Sequence, residues 1–92
     1  MKFLSTYTVR PGCLPEVMKR FLAGLAQPQG GLKLLGRWHK TDLSGGSSLM
    51  ESDDPKAIYE FALKWADVLE LDSHAVIEDA EAGPIIAKAF GK

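Results

Sequence analysis

Residues 32–52, LKLLGRWHKTDLSGGSSLMES, decide how the rest of the chain must be arranged. Residues 32–39, LKLLGRWH, read as one strand and residues 47–52, SSLMES, as a short second one. Lys40 to Gly46 form a loop between them, with Asp42 and the Gly45-Gly46 pair as turn features, so the two strands make a hairpin. On either side of this hairpin the apolar period changes from two to 3.6. That change places a helix before it and a helix after it.

Upstream, CLPEVMKRFLAGLAQ carries Leu14, Val17, Met18, Phe21, Leu22 and Leu25 at amphipathic helical spacing. Pro15 suits its first turn, where a missing N–H costs nothing. Gln27-Pro28-Gln29-Gly30-Gly31 breaks it. Before this helix, residues 2–10, KFLSTYTVR, form a strand that Pro11-Gly12 ends. Phe3, Ser5, Tyr7 and Val9 share one face of that strand, and Leu4, Thr6 and Thr8 share the other. Both faces are apolar or small, which predicts a central strand covered on both sides.

Downstream, Asp53-Asp54-Pro55 opens a second helix with aspartate as N-cap and proline at N1. Ile58, Phe61, Ala62, Trp65, Val68 and Leu69 form its apolar face. Residues 71–78, LDSHAVIE, make a fourth strand. The tail, DAEAGPIIAKAFGK, reads as a short helix that either breaks at Pro84 or starts at Gly83-Pro84. The order β-α-β-β-α-β plus a terminal helix is the α+β, ferredoxin-like pattern over one domain, residues 1–92. Both crossover helices then lie on one face of an antiparallel sheet. The other face is left without cover inside the chain, and a second copy is the simplest cover, so a homodimer is expected.

Composition narrows the function classes. Of 92 residues, 46% are hydrophobic and 25% charged, which is ordinary globular material. A net charge of -1 offers no basic excess to hold a phosphate backbone, so nucleic acid is not expected as a partner. The single cysteine, Cys13, excludes an internal disulfide and suits a reducing cytoplasm. The apolar run of the N-terminus stops at Ser5 with no cleavage site after it, and no segment approaches the roughly 20 residues of a membrane span. A cytoplasmic location without membrane attachment is therefore the expectation.

The stretches RPGC at 10–13, KRFL at 19–22, LLGRWH at 34–39, ESDDPKAIYEFALKWAD at 51–67 and EDAEAGP at 78–84 resemble a family of small bacterial proteins known only as a domain of unknown function. The resemblance covers nearly the whole chain. It implies similarity to the dimeric α/β-barrel superfamily, in which two ferredoxin-like sheets face each other. That superfamily includes small monooxygenases of antibiotic biosynthesis, lactone isomerases, haem-degrading enzymes and stress-response proteins. The family brings no established catalytic residues, and none is carried over.

Strand parity selects the candidate site. Trp38 and His39 point to opposite sheet faces; Gly36 goes with Trp38, and Arg37 goes with His39. If Trp38 pairs with Ser48, Leu35 lies opposite Glu51. Arg37 and Glu51 are then diagonal neighbours. Arg37, His39 and Glu51 would form a polar cluster in a dimer cavity, with His39 as candidate base, Arg37 holding an oxyanion and Glu51 orienting Arg37. The competing reading is a surface or interface ion pair. Trp38 and Tyr7 are candidate binding residues, Trp38 as a pocket wall and Tyr7 through its hydroxyl. Core or interface packing serves equally for both.

Trp65, on the apolar helical stripe, reads as core. His74 and Glu78 are about 13 Å apart along a strand and cannot share a metal, so no metal is expected. Cys13 reads as a small packing residue. No phosphate-loop, dinucleotide, zinc-protease or nucleophile-elbow motif occurs, so no cofactor is expected. The expected function is binding of a small, mostly apolar molecule, with cofactor-independent oxygenation or isomerisation as the chemistry the resemblance implies. The alternative is a non-catalytic dimer that serves stability or binds another protein.

Overall fold

A computed structural model describes residues 1–91. The elements are β1 (Lys2–Val9), α1 (Leu14–Leu22), β2 (Lys33–His39), β3 (Gly45–Glu51), α2 (Pro55–Leu63), β4 (Leu69–Val76) and α3 (Asp79–Phe90). The four strands form one antiparallel sheet in the order β2-β3-β1-β4. This is the α+β, ferredoxin-like arrangement, with β1 central and β2 at an edge.

Local chemistry sets the ends of the elements. Pro15 lies in the first turn of α1, and Asp54 caps α2 by accepting from the Lys56 backbone N–H at 2.9 Å. Each crossover helix is shorter than its apolar period suggests. Helix α1 stops at Leu22, and Gly24 takes a left-handed φ of 82° just beyond it. Helix α2 stops at Leu63, and Trp65 and Val68 fill the core from the turn that leads into β4. β4 therefore begins at Leu69 rather than Leu71. The Arg20 guanidinium ties the two crossovers together. It meets Asp67 at 2.6 Å and Glu16 at 3.0 Å, and its centre lies 5.7 Å from the Trp65 ring centroid.

Three expectations are corrected. The Gly45-Gly46 pair belongs to strand β3, not to the loop. α3 runs through Pro84 without a break. Proline removes one helical hydrogen bond, but the residues around it are exposed, so water can satisfy the freed Ala80 carbonyl. Within this chain the central strand is covered on one side only. Phe3 and Ser5 are buried beneath the helices, whereas Leu4, opposite them, is 43% exposed.

The core lies between sheet and helices in two clusters. Phe3, Leu32, Met50 and Ile58 pack at one end; Val17, Ala26, Trp65, Val68 and Leu69 pack at the other. Phe61 of α2 touches both. No helix among the described residues is long and apolar enough to cross a membrane.

Candidate functional site

The strand registers stack side chains into rows on the helix-facing side. Ala75, Phe3, Met50 and Leu34 form an apolar row across the sheet. The next row is Ser73, Ser5, Ser48 and Arg37, and the next is Leu71, Tyr7, Gly46 and His39. The serine row is short in side chain where its neighbours are long. That shortness leaves space above it, and a cavity of about 100 Å³ opens there, roofed by Val17, Phe21, Phe61 and Trp65. A cavity of roughly 150 Å³ accepts benzene, so the space is on the scale of one small ring.

Glycine decides how Tyr7 lies. A Cβ on Gly46 would come within 2.4 Å of the Tyr7 hydroxyl oxygen and 2.2 Å of the Trp38 carbonyl oxygen. Only a residue without a side chain lets the phenol cross β3. The Tyr7 hydroxyl thereby reaches His39 Nδ1, two strands away, at 3.3 Å. If the phenol donates this bond, the imidazole carries its proton on Nε2 and Nδ1 is the acceptor. The Phe21 ring of α1 meets the His39 ring edge-on, with centroids 5.4 Å apart. His39 is thus held from below by Tyr7 and from above by Phe21.

Arg37 stands beside this pair. Its Nη2 donates to the Ala26 carbonyl at 2.8 Å, across the turn that follows α1. Burial lowers the Arg37 pKa from its ordinary value, partly countered by Tyr7. Burial likewise raises the Tyr7 pKa, partly countered by Arg37. The Ser5 and Ser73 hydroxyls bond each other at 2.7 Å, and Ser48 lines the cavity next to them. Lys40 and Leu43 stand at the rim, where Leu43 adopts a left-handed φ of 69°. Asp42 braces that loop by accepting from the Ser44 hydroxyl at 2.6 Å and its N–H at 3.0 Å.

The structure separates the expected cluster. Tyr7, Arg37 and His39 line one cavity; Glu51 and Trp38 lie on the opposite, open face of the sheet. Trp38 pairs with Ser47 rather than Ser48, and a bulge at Leu35 shifts the register again below it. Glu51 therefore faces away from Arg37 and sits between Lys2 and Lys33. Trp38 is 61% exposed, folded back over Gly36. The cavity itself lies between sheet and helices of one chain, not between two sheets. Trp65 is buried in the core, and Cys13 packs at its margin.

Sequence reasoning missed Phe21, Ser48 and Gly46 as parts of the site. The signal for Gly46 was present: a glycine inside a strand marks close approach of another group.

Comparison with solved structures finds 5-chloro-2-hydroxyhydroquinone dehydrochlorinase (TftG) from Burkholderia phenoliruptrix AC1100, in complex with 2,5-dihydroxybenzoquinone. The likeness has a TM-score of 0.60 at 20% identity and covers 88% of this chain and 98% of that one. At this identity it supports the shared fold alone. Comparison with curated proteins gives no match. The model of the family described as Domain of unknown function (DUF3303) matches residues 1–90, and the chain belongs to that family.

Proposed function

We propose that this protein binds a small, mostly apolar ring compound in the cavity between sheet and helices, and that His39 moves a proton to or from it. The observation that carries this reading is the Tyr7–Gly46–His39 row. It places two groups capable of proton transfer 3.3 Å apart at the edge of an otherwise apolar cavity. Tyr7 orients the imidazole and Phe21 limits its rotation. In that arrangement His39 takes the proton of a ring hydroxyl or an acidic C–H, and Arg37 faces the resulting oxyanion. Isomerisation and cofactor-independent oxygenation can both start from such a deprotonation. That TftG was solved with a single-ring quinone supports a ring-sized ligand as the first probe.

The protein also acts as a homodimer in this reading. Leu4 and Trp38 are exposed on the helix-free side of the chain, and no residue of α3 is buried against its own chain. A second copy would cover these surfaces.

The test is a calorimetric titration with 2,5-dihydroxybenzoquinone, using the wild type and Ala62→Phe, which fills the cavity from α2. Saturable binding to the wild type and its loss in a folded Ala62→Phe protein is the expected result. No saturable binding, or equal binding by both proteins, would overturn the reading. Native mass spectrometry of the same sample reports subunit number. A monomer at working concentration would remove the dimer.

A further inference from the structure

We infer that the cavity selects a small aromatic monoanion, a ring bearing a carboxylate or an acidic enol already ionised on arrival, that Arg37 makes the selection, and that the proton His39 moves is a second one on the same ring. This inference rests on the proposed binding role and specifies the charge of the ligand.

The charge distribution of the lining carries it. Arg37, His39 and Lys40 line the cavity, and no aspartate or glutamate does. Every other arginine of the chain has a carboxylate partner: Arg10 meets Glu70 at 3.9 Å, and Arg20 meets Glu16 and Asp67. Arg37 makes no ion pair with any described residue. Its one hydrogen bond goes to a neutral carbonyl, that of Ala26. A guanidinium has five N–H donors in a planar fork that matches a carboxylate or enolate. Here a single donated bond engages that fork, beside a cavity.

The position of Arg37 is also costly without a ligand. Its row-mates Ser48 and Ser5 are buried, and the roof above is apolar, so water screens the charge poorly. A half-buried cation with no counter-ion weakens the fold until something negative meets it. The hairpin register has already moved the nearest expected partner, Glu51, to the other face. That no acidic side chain lines the cavity beside Arg37 thus follows in part from strand parity. An anion seated there would also lie within reach of the Ser48 hydroxyl, the next member of the row.

The ring requirement comes from the same walls. Phe21, Phe61 and Trp65 offer flat apolar surface, and the space above the serine row is on the scale of one small ring. The ligand thus divides into an apolar ring under α1 and α2 and one charged oxygen group toward β2.

The experiment is a pair of NMR-detected titrations with benzoate and benzamide, which share shape and differ in charge. The wild type is expected to bind benzoate at least tenfold more tightly than benzamide. Raising sodium chloride from about 50 to 500 mM should weaken benzoate and leave benzamide unchanged. In Arg37→Gln the two affinities should converge, and Arg37→Lys should keep part of the preference. Lys88→Gln, on the exposed helix α3 and outside the cavity lining, should change the ratio less than twofold. If benzamide binds as well as benzoate in the wild type, the charge selection is wrong while cavity binding stands. If Arg37→Gln keeps the preference, Arg37 is not its source. If neither probe binds, cavity binding itself fails and the inference falls with it. The wild-type ratio and its salt dependence decide the matter even if Arg37→Gln does not fold.

Discussion

The two faces of the sheet come from the same four strands, one residue out of step, and they differ in nearly everything else. Toward the helices, the rows run from a sealed apolar end at Phe3 and Met50, through small serines, to the Tyr7–His39 pair. Away from the helices lie Lys2, Glu51 and Lys33 in one row, Leu4 and Leu49 in another, and an exposed His74–Asp72 pair at 2.7 Å. The first face has its residues fixed by close packing and by glycine. The second carries exposed or partly exposed side-chain pairs, His74 with Asp72 and Lys2 with Glu78, and no buried apolar cluster among the described residues. Parity thus places the cavity-lining side chains on one face and exposed apolar side chains such as Leu4 and Trp38 on the other.

The comparison breaks first if the helix-facing rows tolerate truncation. Met50→Ala should cost about 3 kcal/mol in urea unfolding, because Met50 is buried between Phe3 and Ile58. Leu49→Ala, its neighbour on the open face, should cost less than about 1 kcal/mol in the monomer. Equal losses would mean that the open face is packed too.

Gly46→Ala should cost about 2–3 kcal/mol, since its Cβ must displace either the Tyr7 phenol or the Trp38 carbonyl. The double variant with Tyr7→Phe should recover little of that loss, because the carbonyl clash remains. Near-complete recovery would make the phenol the only obstacle.

Asp54→Ala removes the α2 cap that the Lys56 N–H uses, and about 1 kcal/mol should be lost. Helix α2 roofs the cavity, so the same variant should weaken ring binding without altering the benzoate-to-benzamide ratio.

Tyr7 gives the comparison a pH signature. Its folded pKa is raised by burial, so the folded state holds the phenolic proton more tightly than the unfolded chain. The associated stability is fully present below the unfolded value near 10 and is lost as pH rises through the higher folded value. Tyr7→Phe should flatten that alkaline limb in thermal melts between pH 9 and 11 and cost about 1 kcal/mol at neutral pH. An unchanged alkaline limb would place its origin elsewhere.

The smallest effect should be that of Trp38→Ser. It should alter monomer stability by less than about 0.5 kcal/mol while shifting a dimer toward monomer in analytical ultracentrifugation. A large stability loss in dilute monomer would show that Trp38 packs within its own chain.

Much of the fold was legible because its signals are local. Apolar spacing gave α1 and α2, and Asp54-Pro55 gave a start that the structure keeps to the residue. The separation of Trp38 from His39 followed from parity alone, and it survives. Register did not follow, because it depends on turn geometry that the residue types leave open. The Lys40 N–H donates to the Gly45 carbonyl at 2.9 Å, and β3 begins at Gly45, two residues earlier than its residue types suggest. One residue of slip, compounded by the Leu35 bulge, carried Glu51 to the far side. The cavity was illegible for a different reason. It exists because serines from three neighbouring strands occupy one row, and no single strand reveals a row.

The most direct measurement is a ¹⁵N-resolved NMR titration of the wild type with benzoate. Saturable shifts should gather at Ser5, Tyr7, Arg37, His39 and Ser48, the rows beneath the helices. Saturable shifts gathered instead at Leu4, Thr6, Leu49 and His74, or none at all, would contradict the assignment of binding to the helix-facing side of the sheet.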